Sequence, residues 1–138
     1  MICPCYNEEE SIRLFYQEVM KNEGFFRGKG VEMNVLFVDD GSRDGTLSEI
    51  KKLRSEDERV HFVSFSRNFG KEAAMYAGLE KAQGDYLVIM DVDLQDPPSL
   101  LPEMFSYVEQ GYDSVATRRV NRKGEPVIRS FLQEPFMD

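Results

Sequence analysis

Apolar and polar positions along this chain switch regularly between a period of two and a period of 3.6. Residues 1–5 read as the end of a strand. Ile12, Phe15, Tyr16 and Val19 then recur at helical spacing and make one apolar face. Asn7, with Glu10 three residues on, has the make-up of a reciprocal helix cap. The glycines between 24 and 30 break that helix, and residues 33–38 (MNVLFV) form a short apolar strand that stops at Asp39. Gly41 and Gly45 mark a turn. Thr46 and Glu49 form a second capping box, ahead of a helix lined by Leu47, Ile50 and Leu53.

The cycle continues. Residues 60–65 (VHFVSF) predict a third strand, 66–70 a loop, and 71–82 a helix rich in small residues. Ala74, Ala77 and Gly78 would let that helix approach a sheet closely. Residues 86–90 (YLVIM) predict a buried strand ending at Asp91. Pro97 and Pro98 open a helix with a stripe of Leu101, Met104, Phe105 and Val108, and 112–117 predict a fifth strand. Such alternation implies βαβ units and a mostly parallel sheet with helices on both faces. Ligands bind such sheets beyond the carboxyl ends of the strands, near the reversal of strand order. Those positions hold Pro4, Tyr6, Asn7 and Glu8; Asp39 to Ser42; Ser66 to Asn68; Asp91, Val92 and Asp93; and Thr117 and Arg118.

Composition narrows the field. The 138 residues suit one domain, and the net charge of −8 argues against a general nucleic-acid binder. Charge is uneven: between residues 117 and 129 stand Arg118, Arg119, Arg122, Lys123 and Arg129 against Glu125 alone. That segment reads either as a solvated loop or as one facing phosphate or membrane. Cys3 and Cys5, at i,i+2 on one extended strand, are poorly placed to bridge each other, and a reducing compartment is expected. No apolar run approaches the roughly 20 residues of a membrane span. Acidic residues from Glu8 onward argue against a signal peptide.

Asp91 and Asp93 leave an apolar strand at i,i+2. Two carboxylates there repel unless a cation sits with them, and Mg²⁺ or Mn²⁺ suits carboxylate plus phosphate oxygens. The bland alternative is a pair of loop acids facing water. Asp39 is expected to accept from the backbone of the following turn, and Asp40 to accept from a ribose hydroxyl or base N–H. Tyr6 could stack on a base or belong to the core. Glu8 could meet a ligand, or complement a helix dipole as Glu9 and Glu10 do. Lys71 and Arg118 are cations that could meet phosphate. His61, the single histidine, is expected to be half-buried within strand three, which speaks against a Ser/His/Asp triad or a His-ligated zinc site.

Four runs at consistent spacing carry a resemblance. They are Pro4-Cys5-Tyr6-Asn7-Glu8-Glu9, Val38-Asp39-Asp40-Gly41-Ser42-Arg43-Asp44-Gly45-Thr46, Ser66-Arg67-Asn68-Phe69-Gly70-Lys71, and Met90-Asp91-Val92-Asp93-Leu94-Gln95-Asp96-Pro97-Pro98. The chain resembles family 2 glycosyltransferases, in the branch of dolichol-phosphate mannose synthase and undecaprenyl-phosphate sugar transferases. The resemblance implies an α/β GT-A (Rossmann-like) three-layer sandwich with a mostly parallel central sheet. It implies a UDP- or GDP-linked sugar donor, Mg²⁺ or Mn²⁺, and inverting transfer to a polyprenyl (undecaprenyl or dolichyl) phosphate. By position, Pro4, Tyr6, Glu8, Val38 and Asp40 resemble nucleoside contacts. Asp91 and Asp93, with Val92 between them, resemble the D-x-D pair that holds metal and diphosphate and serves catalysis. Gln95 resembles a donor-site glutamine beside the metal, and Arg118 an arginine approaching the donor phosphates, with Lys71 a weaker counterpart.

A phosphate acceptor is already ionised at neutral pH, which agrees with a sequence showing no separate general base. Family members continue further. The pattern breaks after about Arg129–Ser130, so residues 1–130 are expected to be the donor-binding part of a longer domain and 131–138 a divergent tail. The open side of a shortened domain could bury itself against a second copy, as a homo-oligomer. The expected location is cytoplasmic, at the face of the inner membrane. The rivals are a non-catalytic nucleotide-binding module and a haloacid-dehalogenase-like phosphatase, whose nucleophile also follows a strand as D-x-D.

Overall fold

The computed structural model describes residues 1–119 and 126–132, with side chains described through residue 115. The element order is β1 (Ile2–Cys5), α1 (Ile12–Met20), α2 (Glu23–Gly28), β2 (Val35–Asp39), α3 (Thr46–Glu56), β3 (Val60–Ser64), α4 (Lys71–Lys81), a 3₁₀ turn (Pro98–Leu100) running into α5 (Leu101–Glu109), β4 (Ser114–Arg119) and β5 (Pro126–Leu132). β1, β2 and β3 form a parallel sheet in that order. Ile2 stands opposite Leu36, and Leu36 opposite His61.

Strand alternation sorts the side chains into two layers. Cys3, Cys5, Val35 and Phe37 join Ile12, Phe15 and Val19 of α1, Ile50 and Leu53 of α3, and Phe105 of α5 in the main core. The ring of Phe15 meets that of Phe37 edge-on at 6.3 Å. On the opposite face Ile2 and Val38 pack with Ala74 of α4. Helices thus cover both faces of the sheet, as the alternation predicted. The small-residue helix does approach closely: a Cβ placed on Gly78 would lie 2.3 Å from Cγ2 of Ile2.

Several expectations need correction. Residues 24–30 do not merely break a helix; they contribute most of α2, whose buried Phe26 packs edge-on against Phe105 at 5.3 Å. Residues 86–90 are not a buried strand. They make one parallel bridge, Ile89 to Ile2, on the free side of β1. The amide of Ile2 donates to Val88 O at 2.7 Å, and that of Met90 to Ile2 O at 3.0 Å. Met90 is buried, but Tyr86 and Leu87 are about half exposed at 52% and 48%. An apolar run reads alike whether one face or both faces are covered, and α4 packs on β1 and β2.

The fifth predicted strand, β4, does not extend the parallel sheet; it pairs antiparallel with β5. His61 is exposed rather than half-buried, because it lies on β3 at the edge of the three-stranded sheet. Neither capping box forms. α1 starts after Ser11 and α3 after Gly45, both without a side-chain cap bond. Asn7 and Thr46 are engaged elsewhere, as described below.

A polar cluster ties α1 to the start of β3. Asp57 accepts from the hydroxyl of Tyr16 at 2.5 Å and from Arg59 Nη2 at 2.8 Å and Nε at 3.0 Å. The Arg59 hydrogen bonds, with Tyr16 adding to them against burial, hold the Asp57 carboxyl well below the usual range. A depressed folded-state pKa means this stability is complete above the ordinary Asp value and disappears as pH falls through the lowered one. Asp57→Asn should therefore cost about 1.5–3 kcal/mol at neutral pH, the range for hydrogen bonds to charged groups. In urea unfolding, the gap from wild type should shrink once pH drops below about 4. Gly78→Val should cost about 1–3 kcal/mol through overpacking against Ile2, measured the same way at pH 7.

Candidate functional site

The candidate site lies where β1 ends. β2 leaves β1 on one side and the 88–90 segment on the other, so the crevice opens at the reversal of strand order. A cleft of about 190 Å³ sits there. Pro4, Cys5 and Tyr6 line it from β1, with Glu8 just beyond and Asp40 from the end of β2. Lys71 and Ala74 line it from α4, and Asp91, Val92 and Asp93 from the following strand end.

Each wall is held by backbone-directed hydrogen bonds. Asn7 turns the chain at the end of β1 with φ 53°, a left-handed conformation that Asn tolerates. Its amide donates to Ser42 Oγ at 2.8 Å, and its Oδ1 accepts from the amide of Arg43 at 2.8 Å. The amide of Glu8 donates to Thr46 Oγ1 at 2.7 Å, while that hydroxyl donates to Asp44 Oδ1 at 2.5 Å. Asn7 and Thr46 therefore join the loop after β1 to the loop after β2, which is why they do not cap helices.

Asp39 accepts from the amide of Ser42 at 3.1 Å, the turn role expected of it. Asp40 is 4% exposed and holds the next loop. Its Oδ1 accepts from the amide of Phe69 at 2.8 Å, and its Oδ2 from Asn68 Nδ2 at 3.1 Å and the Gly70 amide at 3.0 Å. The expected ligand acceptor is thus already the anchor of residues 68–70. Gly41 permits this approach: it has φ 71°, and a Cβ there would lie 2.2 Å from the carbonyl carbon of Arg67.

Across the cleft, Val92 is buried at 2% while Asp91 and Asp93 flank it and face the opening. Leu94 follows with φ 66°, a strained value for a bulky residue, and packs against the core. That packing holds the turn and places Asp93, whose Oδ1 accepts from the Gln95 amide at 3.1 Å. Lys71 Nζ donates to Asp91 Oδ2 at 2.8 Å. Burial raises the Glu8 carboxyl above its ordinary value; a Ser11 hydrogen bond opposes this, and the charges of Asp93, Asp44 and Asp91 add to it.

Pro4, Tyr6, Glu8, Asp40, Lys71, Asp91, Val92 and Asp93 thus meet at one cleft. Val38 does not join them. Its fully buried side chain lies on the same face as Asp40 but two residues deeper in the sheet, packed with Ile2 and Ala74 under α4. Gln95 is exposed just outside the lining residues, and Arg118 stands on β4, beyond the described side chains. Cys5 and Ala74 also line the cleft. Their positions beside Tyr6, and one helical turn from Lys71, could have pointed to them. Burial, with the nearby Asp39 charge adding to it, pushes the Cys5 thiol well up and disfavours its thiolate.

A parallel sheet with its crevice at the switch point, lined by acids and an aromatic side chain, is an α/β arrangement suited to a polar ligand, and the solved structures that share this fold are GT-A glycosyltransferases. The chain matches Glycosyl transferase family 2 over residues 1–136, and it belongs to that family. It is 43% identical to CsbB of Bacillus subtilis (strain 168) over 99% of its length, spanning 40% of that protein. It is 42% identical to the prophage bactoprenol glucosyl transferase homolog of Escherichia coli (strain K12), again over 99% of its length and 44% of the relative. The mannosyltransferase PcManGT from Pyrobaculum calidifontis, solved in complex with GDP-Man and Mn²⁺, superposes with TM-score 0.70 at 25% identity, covering 88% of this chain and 34% of that one. S. aureus TarS 1–349 shares the fold at TM-score 0.67 and 23% identity, covering 87% of this chain and 34% of its own. Family membership removes the phosphatase alternative.

Asp40→Ala should free residues 68–70 while leaving the sheet intact. Hydrogen exchange should then show faster exchange at the Phe69 and Gly70 amides, with little change at β2.

Proposed function

We propose that this chain binds a nucleoside-diphosphate sugar in the cleft and takes part in inverting transfer of the sugar to a polyprenyl phosphate at the cytoplasmic face of a membrane. The carrying observation is the meeting of Asp91, Asp93, Lys71 and Tyr6 at the sheet's switch point. Relatives named bactoprenol glucosyl transferase support the acceptor class. The GDP-Man in PcManGT supports the donor class. No helix among the described residues is long and apolar enough to cross a membrane.

Tyr6, 41% exposed at the strand end, offers its ring to the base. Pro4 shapes the floor beneath it, and Glu8 offers an acceptor to the nucleoside. Lys71 and Arg118 supply positive charge for the diphosphate. Asp91 and Asp93 present oxygen donors on one open wall. That donor chemistry fits a Mg²⁺ or Mn²⁺ ion that keeps waters and shares phosphate oxygens. Asp91 and Asp93 would hold it, with Gln95 beside them. When bound, the ion supplies charge neutralisation for the leaving diphosphate. In the transfer, an acceptor phosphate oxygen forms a bond to the anomeric carbon from the face opposite the leaving group. The bond from that carbon to the nucleoside diphosphate breaks. The acceptor is ionised at neutral pH, so no side chain has to remove a proton.

Calorimetric titration of UDP-glucose, UDP-GlcNAc and GDP-mannose, each with Mn²⁺ and with EDTA, tests the donor site. One donor should bind in a metal-dependent way. Asp91→Asn and Asp93→Asn should each weaken that binding at least about tenfold, a loss seen even for the outer-shell partners of metal ligands. Equal binding in Mn²⁺ and in EDTA would refute the assignment.

A further inference from the structure

Lys71 is the one cation lining the cleft among the described residues, set among Glu8, Asp40, Asp91 and Asp93. It does not point idly into solvent. Its Nζ sits 2.8 Å from Asp91 Oδ2, although the two side chains are 59% and 42% exposed. The pairing joins the first residue of α4 to the strand end across the cleft. Asp91 is thus held by an ammonium at the carboxylate through which the proposed donor site would take a divalent cation.

We infer that Lys71 is a resident counter-ion. It neutralises Asp91 while the cleft is empty, gives way to a divalent cation, and then transfers its charge to the diphosphate. This rests on the donor-binding reading above and assigns Lys71 two successive partners. An ammonium and a divalent cation repel each other at one carboxylate. The cation alone must therefore break an ion pair, and the displaced Lys71 is left without a partner. A diphosphate supplies one. Cation and nucleotide should each raise the other's affinity by the same factor, since coupling between two ligands is reciprocal. A flexible, exposed lysine is suited to this: its stem can reorient, and an exposed pair is weak enough to exchange.

The test is Mn²⁺ binding by calorimetry or by electron paramagnetic resonance of the free ion, alone and with UDP or GDP. It uses the full chain and its Lys71→Met and Lys71→Arg variants, with circular dichroism confirming the fold. Lys71→Met should bind Mn²⁺ alone about two- to fivefold more tightly, the scale of an exposed ion pair. It should bind the diphosphate with Mn²⁺ more weakly, so the coupling factor falls on both counts. Lys71→Arg should retain the coupling. Wild-type protein that binds a diphosphate with Mn²⁺, while Lys71→Met leaves the affinity for Mn²⁺ alone unchanged or weaker, overturns this inference and leaves the donor-binding reading standing. Wild-type protein that binds neither diphosphate with Mn²⁺ overturns both.

Discussion

The structure turns on Ile2. Its N–H and C=O both bond the 88–90 segment, at Val88 and Met90, while on its other side it stands in register with Leu36 of β2, whose amide donates to the adjoining Met1. Its side chain, fully buried, meets the face of α4 at Gly78. Without that central position the carboxyl ends of β1 and of the 88–90 segment would not lie side by side. Tyr6 and Asp91 would then have no shared cleft. Parallel pairing needs long crossover connections, so Tyr6 and Asp91, far apart along the chain, reach one crevice through this register.

Around that register the loops are fastened to one another rather than to their own helices. Asn7 bonds to Ser42 and Arg43, Glu8 to Thr46, and Asp40 to Asn68, Phe69 and Gly70. All of these but the Asn68–Asp40 side-chain bond satisfy a loop amide that would otherwise need water. Loops held this way offer a ligand walls in fixed places, and the ordering is established before binding. Asp40 shows how these roles overlap: a carboxylate lining the cleft is also the anchor of the loop that leads into Lys71.

The electrostatics of the cleft follow from its acids. The charges of Asp93 and Asp91 reach the Glu8 carboxyl, and the single cation lining the cleft among the described residues, Lys71, is paired with Asp91. An excess of oxygen donors over cations is a poor arrangement for an empty pocket and a suitable one for a cation carrying phosphate. The same acids would repel a bare diphosphate, which ties donor affinity to the positive charges available.

Much of this was legible in the residues. Strand–helix alternation indicated a three-layer α/β fold. The small residues of α4 indicated close packing on the sheet, and the polar strand ends indicated where ligand chemistry would gather. These follow from local periodicity and from the rule that parallel sheets bind at their carboxyl ends, so sequence sufficed for them. Other features had no local signature. Asn7 and Thr46 look like caps because a short polar side chain serves a helix or a neighbouring loop equally well. Residues 86–90 look like a buried strand because hydrophobicity does not report which face is covered. Val38 shares a motif and a strand face with Asp40, yet two residues deeper in the sheet it is covered by α4. By itself, then, the sequence determined the order of elements and the side chains available to the site. Only tertiary structure decided which loop satisfies which hydrogen bond, and that Lys71 meets Asp91, because these contacts join residues far apart along the chain.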